Sequence, residues 1–463
     1  MLMKHVCLLL ILCFGFVDIS TLSAQYYTYQ NKVWAFGSNV GLDFTTGSPV
    51  EISTSINTGE GCASVCDSLG HLLFYSDGKK VYNKTGAIMP SGSSVVSFIT
   101  NSTEQAALII PVIGNANQYY LFSLEALGGG SGNCHLAYSI IDFTLAGGLG
   151  DVVASSMGTP LQDSLGENMI AIAGYNNNIW LVTHRKDTDL FLAYNIKSSG
   201  ISGPMISATG NYSGNSCYAW SVLKESPNRK KIAQGIYKAG ACYGTQLYDF
   251  DPNTGTVSNC TSINTTNDAT SGVEFSPDNT KLYLNDWHAK SIYQYDISVS
   301  TTTAIQASKY IVTDSSDGGD LRLGPDGKIY FEDLNTPDLN CIRFPNLRGA
   351  ACGYIAHVVA FPYNAQYESF PNLYVSTDTV NRVGISVIKT VSNVTLYPNP
   401  TSLSLSVTSP DKINQITITN LIGQTLFSNN YNTEQVQIDV ANLPPGMYLI
   451  RINGTEIRKF VKQ

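Results

Sequence analysis

The chain has 463 residues, 43% of them hydrophobic and only 13% charged, which is enough apolar chain for two cores and too much for a disordered polymer. Its formal charge of -8 repels phosphate backbones, and no basic stripe with interleaved aromatics offsets that charge, so nucleic acid is excluded as a partner.

Residues 1–24 carry Lys4, an apolar run from Val6 to Val17 and small polar residues leading to Ala24, the pattern of a cleavable signal peptide. The run is well short of the roughly 20 residues needed to span a bilayer, so the chain is expected to be exported with no transmembrane anchor, Gln25 opening the mature protein. Loss of the leader removes Cys7 and Cys13 and leaves Cys62, Cys66, Cys134, Cys217, Cys242, Cys260, Cys341 and Cys352. An even number in an exported protein favours disulfides, and the short intervening loops select Cys217 with Cys242 and Cys341 with Cys352 as the expected bridges. Cys62 and Cys66 lie on one expected strand about 13 Å apart, too far to join each other there.

Residues 25–376 read as short strands separated by Gly, Asn, Asp, Ser and Pro turns, with no sustained helical period. KESPNRKKIAQGIY (224–237), EFSPDNTKLYLND (274–286) and RLGPDGKIYFE (322–332) are each a strand, a proline turn and a strand. Their prolines, Pro227, Pro277 and Pro325, fall 50 and 48 residues apart, the length of a four-stranded propeller blade. Weaker copies at 64–78, 107–123 and 171–184 bring the hairpins to six, whereas dividing the region by the period gives seven. The expectation is therefore an all-β propeller of six or seven blades, seven favoured, with VWAFGSNVGLDF (33–44) pairing with the strand around Asn372 to Ser376 to close the ring. The SPDG- and SPDN-type turns followed by KLY or KIY resemble the repeats of WD40-like propellers, a likeness that implies fold and leaves activity open.

Acidic residues recur ahead of the inner hairpin turns: Glu60, Glu104, Glu167 and Asp317 each seven residues before, and Asp268 eight before, with Ala219 breaking the series. In a propeller such positions gather at one mouth of the central channel, where several carboxylates would hold calcium or a cationic ligand; the plainer alternative is that each acid fixes its repeat by accepting backbone N–H bonds. His71, His135, His184, His288 and His357 have no mutual spacing and are read as hydrogen-bonded structural residues, and Trp287 as packing between blades. No G-x-S-x-G, H-E-x-x-H or P-loop occurs, so no catalytic residue is assigned.

Residues 377–391 form a linker, and 392–463 alternate apolar and polar residues at Ile416 and Ile418, Val436, Ile438 and Val440, and Tyr448, Ile450 and Ile452, as a small β-sandwich would. Its landmarks are Tyr397, Pro398, Asn399 and Pro400, then Asn420, Leu421, Gly423 and Gln424, then Leu443, Gly446 and Tyr448, then Lys459 and Lys462. This order resembles the type A C-terminal sorting domain of the type IX secretion system. The resemblance implies recognition of the folded tail by the secretion machinery, removal by a surface sortase, and a product that is released or held at the outer-membrane surface. The expected function is a secreted or surface binding module for a glycan, a protein or an envelope component; the rival is a propeller hydrolase or polysaccharide lyase with a calcium-dependent channel site.

Overall fold

A computed structural model describes residues 29–128, 132–210, 220–236, 244–264, 269–333, 336–361, 370–377, 394–420, 425–453 and 456–463. The expected leader therefore lies outside the described residues. The chain divides into two compact units, Met1–Thr379 and Val380–Gln463. Among the described residues no helix is long and apolar enough to cross a membrane.

Among its described residues the first unit holds seven sheets, antiparallel except for one short parallel pairing, numbered here as blades in chain order. Blade 1 has three strands, Val33–Phe36, Ser38–Asp43 and Val50–Asn57. Blade 2 is Cys62–Cys66, Leu72–Ser76 and Val81–Asn83, joined on its inner edge by Pro371–Asn372. Blade 3 is Ala107–Pro111, Gln118–Leu124 and Leu136–Asp142, whose outer edge carries both Asp151–Val152 and Thr159–Gln162. Blades 4 to 7 have four strands each and begin at Leu165–Ala173, Ser221–Glu225, Thr270–Phe275 and Leu321–Leu323.

Strand alternation sends successive side chains to opposite faces of a sheet, so each blade packs on two neighbours at once. In blade 4, Met169 and Ala171 join the core shared with blade 3, while Ile170 and Ile172 join the core shared with blade 5. The same sharing links blades 2 and 3 through Val65 and Ile109, and blades 5 and 6 through Val222 and Val273. A last core, around Trp34, Phe36 and Phe44, takes Tyr283 from blade 6, Leu323 and Tyr330 from blade 7, and Cys62 and Tyr75 from blade 2. The cores thus run in a closed cycle, and the fold is a seven-bladed β-propeller.

The proline turns repeat at atomic detail. Ser226 and Ser276 each accept the N–H of a residue five further on through their hydroxyls, Lys231 at 2.9 Å and Lys281 at 2.8 Å. The second residue after each proline is left-handed, at φ +65° for Arg229, +65° for Asn279 and +80° for Gly327. That conformation is costly for most side chains and favours Gly and Asn, which is why the sequences read PDG and PDN.

Ring closure differs from the sequence expectation. Pro371–Asn372 pairs in parallel with Cys62 and Ala63 of blade 2, and not with residues 33–44. The strand Val33–Phe36 is already paired with Ser38–Asp43 across a tight turn, and just ahead of it Asn31 donates to the carbonyl of Tyr374, two residues past the closing strand, at 3.0 Å and accepts its N–H at 2.9 Å.

The cysteines also correct an expectation. Cys341 and Cys352 are both buried in the core around Trp34, yet they are free thiols, as are Cys62, Cys66, Cys134 and Cys260. Burial pushes the Cys341 thiol up to about 12, so it behaves as a small apolar side chain. Cys217 and Cys242 lie outside the described residues.

The second unit is one five-stranded sheet bent back over its own core. Its two long strands, Ser404–Thr419 and Thr425–Asp439, pair along most of their length with register shifts near Ile413. The first half of Ser404–Thr419 also pairs with Thr395–Tyr397 and the second half with Gly446–Ile452. Leu405, Val407, Ile416, Ile418, Ile438 and Ile450 are thereby enclosed. Glu456–Lys462 completes the edge, and Thr401 meets Lys462 in a parallel bridge.

Candidate functional site

Buried polar side chains from the inner strands, and from the residues just before them, meet across several blades of the propeller. Gln105 bridges three blades and the closing strand: its amide nitrogen donates to the Leu223 carbonyl at 3.1 Å and to Asn372 at 2.9 Å, and its oxygen accepts the N–H groups of Met169 at 3.2 Å and Leu223 at 2.9 Å. Beside it lies a buried ionic cluster. Lys224 of blade 5 meets Asp320 at 2.9 Å, Arg322 of blade 7 meets the same carboxylate oxygen at 3.3 Å, and Glu274 of blade 6 accepts the N–H of Leu323 at 2.9 Å. All four are 3% exposed or less. Burial pushes Lys224 below the usual ammonium range while Asp320 and Glu274 oppose that shift, and burial raises Glu274 above the usual carboxylate range.

Of the acids singled out by sequence, Glu60 and Glu167 are near enough to act on one another. Glu167 is buried and accepts the N–H of Leu127 at 2.6 Å, and the charge of Glu60 is close enough to act on it. Glu60 itself accepts from the Ser102 hydroxyl at 3.2 Å, and Glu104 is partly buried. Asp317 is paired with Lys290 at 2.9 Å, on the turn that follows Trp287, and Asp268 lies outside the described residues. Calcium takes six to eight oxygen ligands. No group of three or more His, Cys, Asp or Glu suited to a metal occurs among the described residues.

Glu167 is held at about 8, mainly by burial and further by Glu60, with the Leu127 N–H opposing. The unfolded chain ionises this carboxyl near its ordinary 4.5, whereas the folded protein keeps it protonated until about 8. Its contribution to stability is therefore complete below about 4.5 and is lost progressively as pH rises through 8. Urea unfolding followed by tryptophan fluorescence, whose four tryptophans all lie in the propeller, should lose about 2–4 kcal/mol between pH 5 and pH 9, and Glu167→Gln should flatten that slope. An unchanged slope in the variant would show that burial of this carboxyl is not what destabilises the alkaline protein.

A concave site lies instead on blade 3. A cleft of about 800 Å³ is lined by Val95, Val96, Leu136, Ala137, Met157 and Pro160, with Ser94, Ser97, Phe98, Gln162, Glu125 and His135 supplying its polar and aromatic parts. The hairpin register explains the last two. Leu124 pairs with Leu136, so Glu125 and His135 are the next facing pair as the strands part. His135 Nδ1 lies 2.5 Å from Glu125 Oε2, and the His135 backbone N–H donates to the same oxygen at 3.1 Å. Glu125 is 3% exposed, and the Phe98 ring lies near-parallel to the imidazole at 6.5 Å between centroids. The Glu125 carboxylate thereby fixes the orientation of the imidazole ring. The sequence reading took His135 for a structural residue; the spacing of Glu125 and His135 around a Gly-rich hairpin loop was the signal that could have paired them.

His71 bonds Asp67 at 3.1 Å and His357 bonds Asp338 at 2.8 Å, both at the surface. His184 is fully buried, bonds the Arg185 carbonyl at 2.7 Å and is lowered by burial to about 3, so it is a neutral core residue. Trp287 is partly exposed.

In the second unit the landmark residues are mostly structural. Asn399 grips the last strand twice, donating to the Lys459 carbonyl at 3.1 Å and accepting the Val461 N–H at 2.9 Å. Tyr448 stacks on Phe460 with centroids 5.6 Å apart and donates to the Pro444 carbonyl at 2.7 Å. Gly446 opens its strand opposite Lys462, Leu443 packs on the core, and Tyr397 and Lys459 are exposed; Leu421, Gly423 and Gln424 lie outside the described residues. Residues 395–463 match the family described as the secretion system C-terminal sorting domain. The second unit is a sorting domain. A sorting domain marks the chain for export to the cell surface or the extracellular space.

The likenesses ahead of the sorting domain are to solved propellers. The Myceliophteria thermophila Cps50 (Swd1) β-propeller domain is 9% identical, covering 66% of this chain and 95% of that one at a TM-score of 0.39. The Pseudomonas aeruginosa periplasmic gluconolactonase PpgL is 10% identical, covering 77% and 93% at 0.38. PorZ of Porphyromonas gingivalis, a surface component of the type IX secretion system, is 10% identical and covers 94% of this chain, sorting domain included, and 80% of its own, at 0.26. No curated protein sequence matches the chain.

Proposed function

We propose that this chain is a secreted or cell-surface recognition protein, delivered by its sorting domain, whose propeller binds a glycan, protein or envelope component in the blade 3 cleft. One observation carries the reading: blade 3 offers a half-apolar cleft of ligand size whose polar groups include a histidine held by a buried carboxylate. Handling by the secretion machinery and a sortase follows from the sorting domain.

The test uses the mature full-length protein on a glycan array and on isolated outer membranes. Ser97 is exposed at the cleft, so Ser97→Trp obstructs it without entering the core, and it should weaken binding about tenfold or more while Ser97→Ala should not. Binding that survives Ser97→Trp, or no binding to either surface, would overturn the reading.

A hydrolytic reading has one observation in its favour, the Glu125–His135 pair, because a histidine oriented by a buried carboxylate can take a proton from water. Steady turnover of 4-nitrophenyl esters that Glu125→Gln and His135→Phe both abolish would decide for it.

A further inference from the structure

We propose that a turn on blade 7 rests on the surface of an anionic phospholipid bilayer, a contact separate from the blade 3 cleft and independent of the recognition reading above. The turn is residues 343–348, between the third and fourth strands of that blade, Asp338–Ile342 and Tyr354–Ala360. Its sequence, RFPNLR, sets an apolar residue and then a cation on either side of Pro345 and Asn346. The Leu347 N–H donates to the Phe344 carbonyl at 2.9 Å, closing a β-turn whose first and last Cα atoms lie within about 7 Å of each other. Phe344 is 50% and Leu347 49% exposed, and Arg343 and Arg348 are exposed beside them.

The backbone holds these side chains outward. The turn is fastened to blade 6 at successive residues: the Tyr283 hydroxyl donates to the Pro345 carbonyl at 2.8 Å, the Asp278 N–H to Asn346 Oδ1 at 3.1 Å, and Gln294 Nε2 to the Leu347 carbonyl at 2.7 Å. Gln294 Oε1 then accepts the Gly349 N–H at 2.9 Å. Tyr283 and Gln294 are themselves buried, so folding the apolar pair inward would break bonds made in the interior. A turn already fixed in this shape loses little conformational freedom when it meets a surface.

Charge selects the surface. The chain carries a net charge of -8, yet residues 339–367 contain two arginines and no Asp or Glu. The Arg343 guanidinium lies 5.2 Å from the centre of the Phe344 ring. Asp278, the acid that touches the turn through its N–H, uses one carboxylate oxygen within its own turn, on the hydroxyls of Ser276 at 2.7 Å and Thr280 at 2.8 Å. Apolar side chains that enter a headgroup layer, flanked by cations that meet lipid phosphates, make an interfacial anchor. Six residues are too few for a stable protein interface, which buries about 800 Å² on each side. Two apolar residues and two arginines bind weakly by themselves, so this contact supplements attachment through the cleft and does not replace it.

The experiment sediments the mature full-length protein with vesicles of phosphatidylcholine alone, and of phosphatidylcholine with an equal part of phosphatidylglycerol, at low ionic strength where headgroup charge is least screened. Partition into the mixed vesicles should exceed partition into the neutral ones about tenfold or more, since each arginine near an anionic surface is worth about fivefold. Arg343→Gln with Arg348→Gln should cancel that preference. Phe344→Ser with Leu347→Ser should lower partition into the mixed vesicles about tenfold or more. All four side chains are exposed, so both variants should unfold in urea at the wild-type midpoint. Equal partition into the two kinds of vesicle, or partition untouched by the double serine variant, would overturn the proposal. If the wild-type protein ignores both vesicles while the double serine variant loses attachment to isolated outer membranes, the turn docks on a protein and the lipid assignment falls. The cleft is judged separately, by Ser97→Trp.

Discussion

Removing residues 392–463 should leave a folded propeller inside the cell envelope and take it from the surface and the medium. The expectation is physical as well as familial. The second unit has its own core, from Leu405 to Phe460, and no residue of that core belongs to the cores of the seven blades. The described cores of the blades are complete without it, so the propeller should keep its tryptophan fluorescence and cooperative unfolding. What is lost is the folded tail that the export machinery recognises. Fractionation and immunoblotting against an epitope near Gln25 measures the outcome, with Asn399→Ala as the point-mutant counterpart, because Asn399 clips the residues after Tyr397 to both Lys459 and Val461. Equal amounts of full-length and truncated protein outside the cell would sink the assignment, and an intact C-terminus on surface protein, read by mass spectrometry, would sink removal by a sortase.

Much of this architecture was legible from residues alone. The spacing of Pro227, Pro277 and Pro325 gave the blade length because a propeller repeats its turn chemistry, and the left-handed position two residues later demanded Asn or Gly often enough to be seen. Alternation at Val436 to Val440 and Tyr448 to Ile452 was equally clear, since one face of that sheet is buried and the other is wet. Blade 1 escaped the hairpin count because Gly37 alone joins its first two strands, without the longer turn of the other blades, and the closing strand was misassigned because pairing partners across some three hundred residues leave no local trace. Of the acid series, Glu60 and Glu167 are near enough to act on one another, and Asp317 is tied to Lys290. The Glu125–His135 pair was hidden by a loop between its members, and only the register of Leu124 with Leu136 makes them neighbours.

The largest stability change from a single substitution should come from Asp320→Ala. Asp320 accepts from Lys224 at 2.9 Å and from Arg322 at 3.3 Å, in surroundings where all three are nearly inaccessible to water. Removing the carboxylate leaves two cations with Glu274 as their nearby counter-charge, and breaking a buried pair from one side costs about 3–5 kcal/mol because the orphaned charge stays desolvated. Lys224→Met with Asp320→Leu removes both members, keeps Arg322 beside Glu274, and should cost less than Asp320→Ala alone, since no net charge is stranded. Urea unfolding followed by tryptophan fluorescence measures both. The comparison bears on function through the state of the central passage. If Asp320→Ala costs less than about 1 kcal/mol, the figure for an exposed pair, water reaches Lys224 and the middle of the ring is an open, charged channel. A ligand would then have a second place to bind besides the blade 3 cleft.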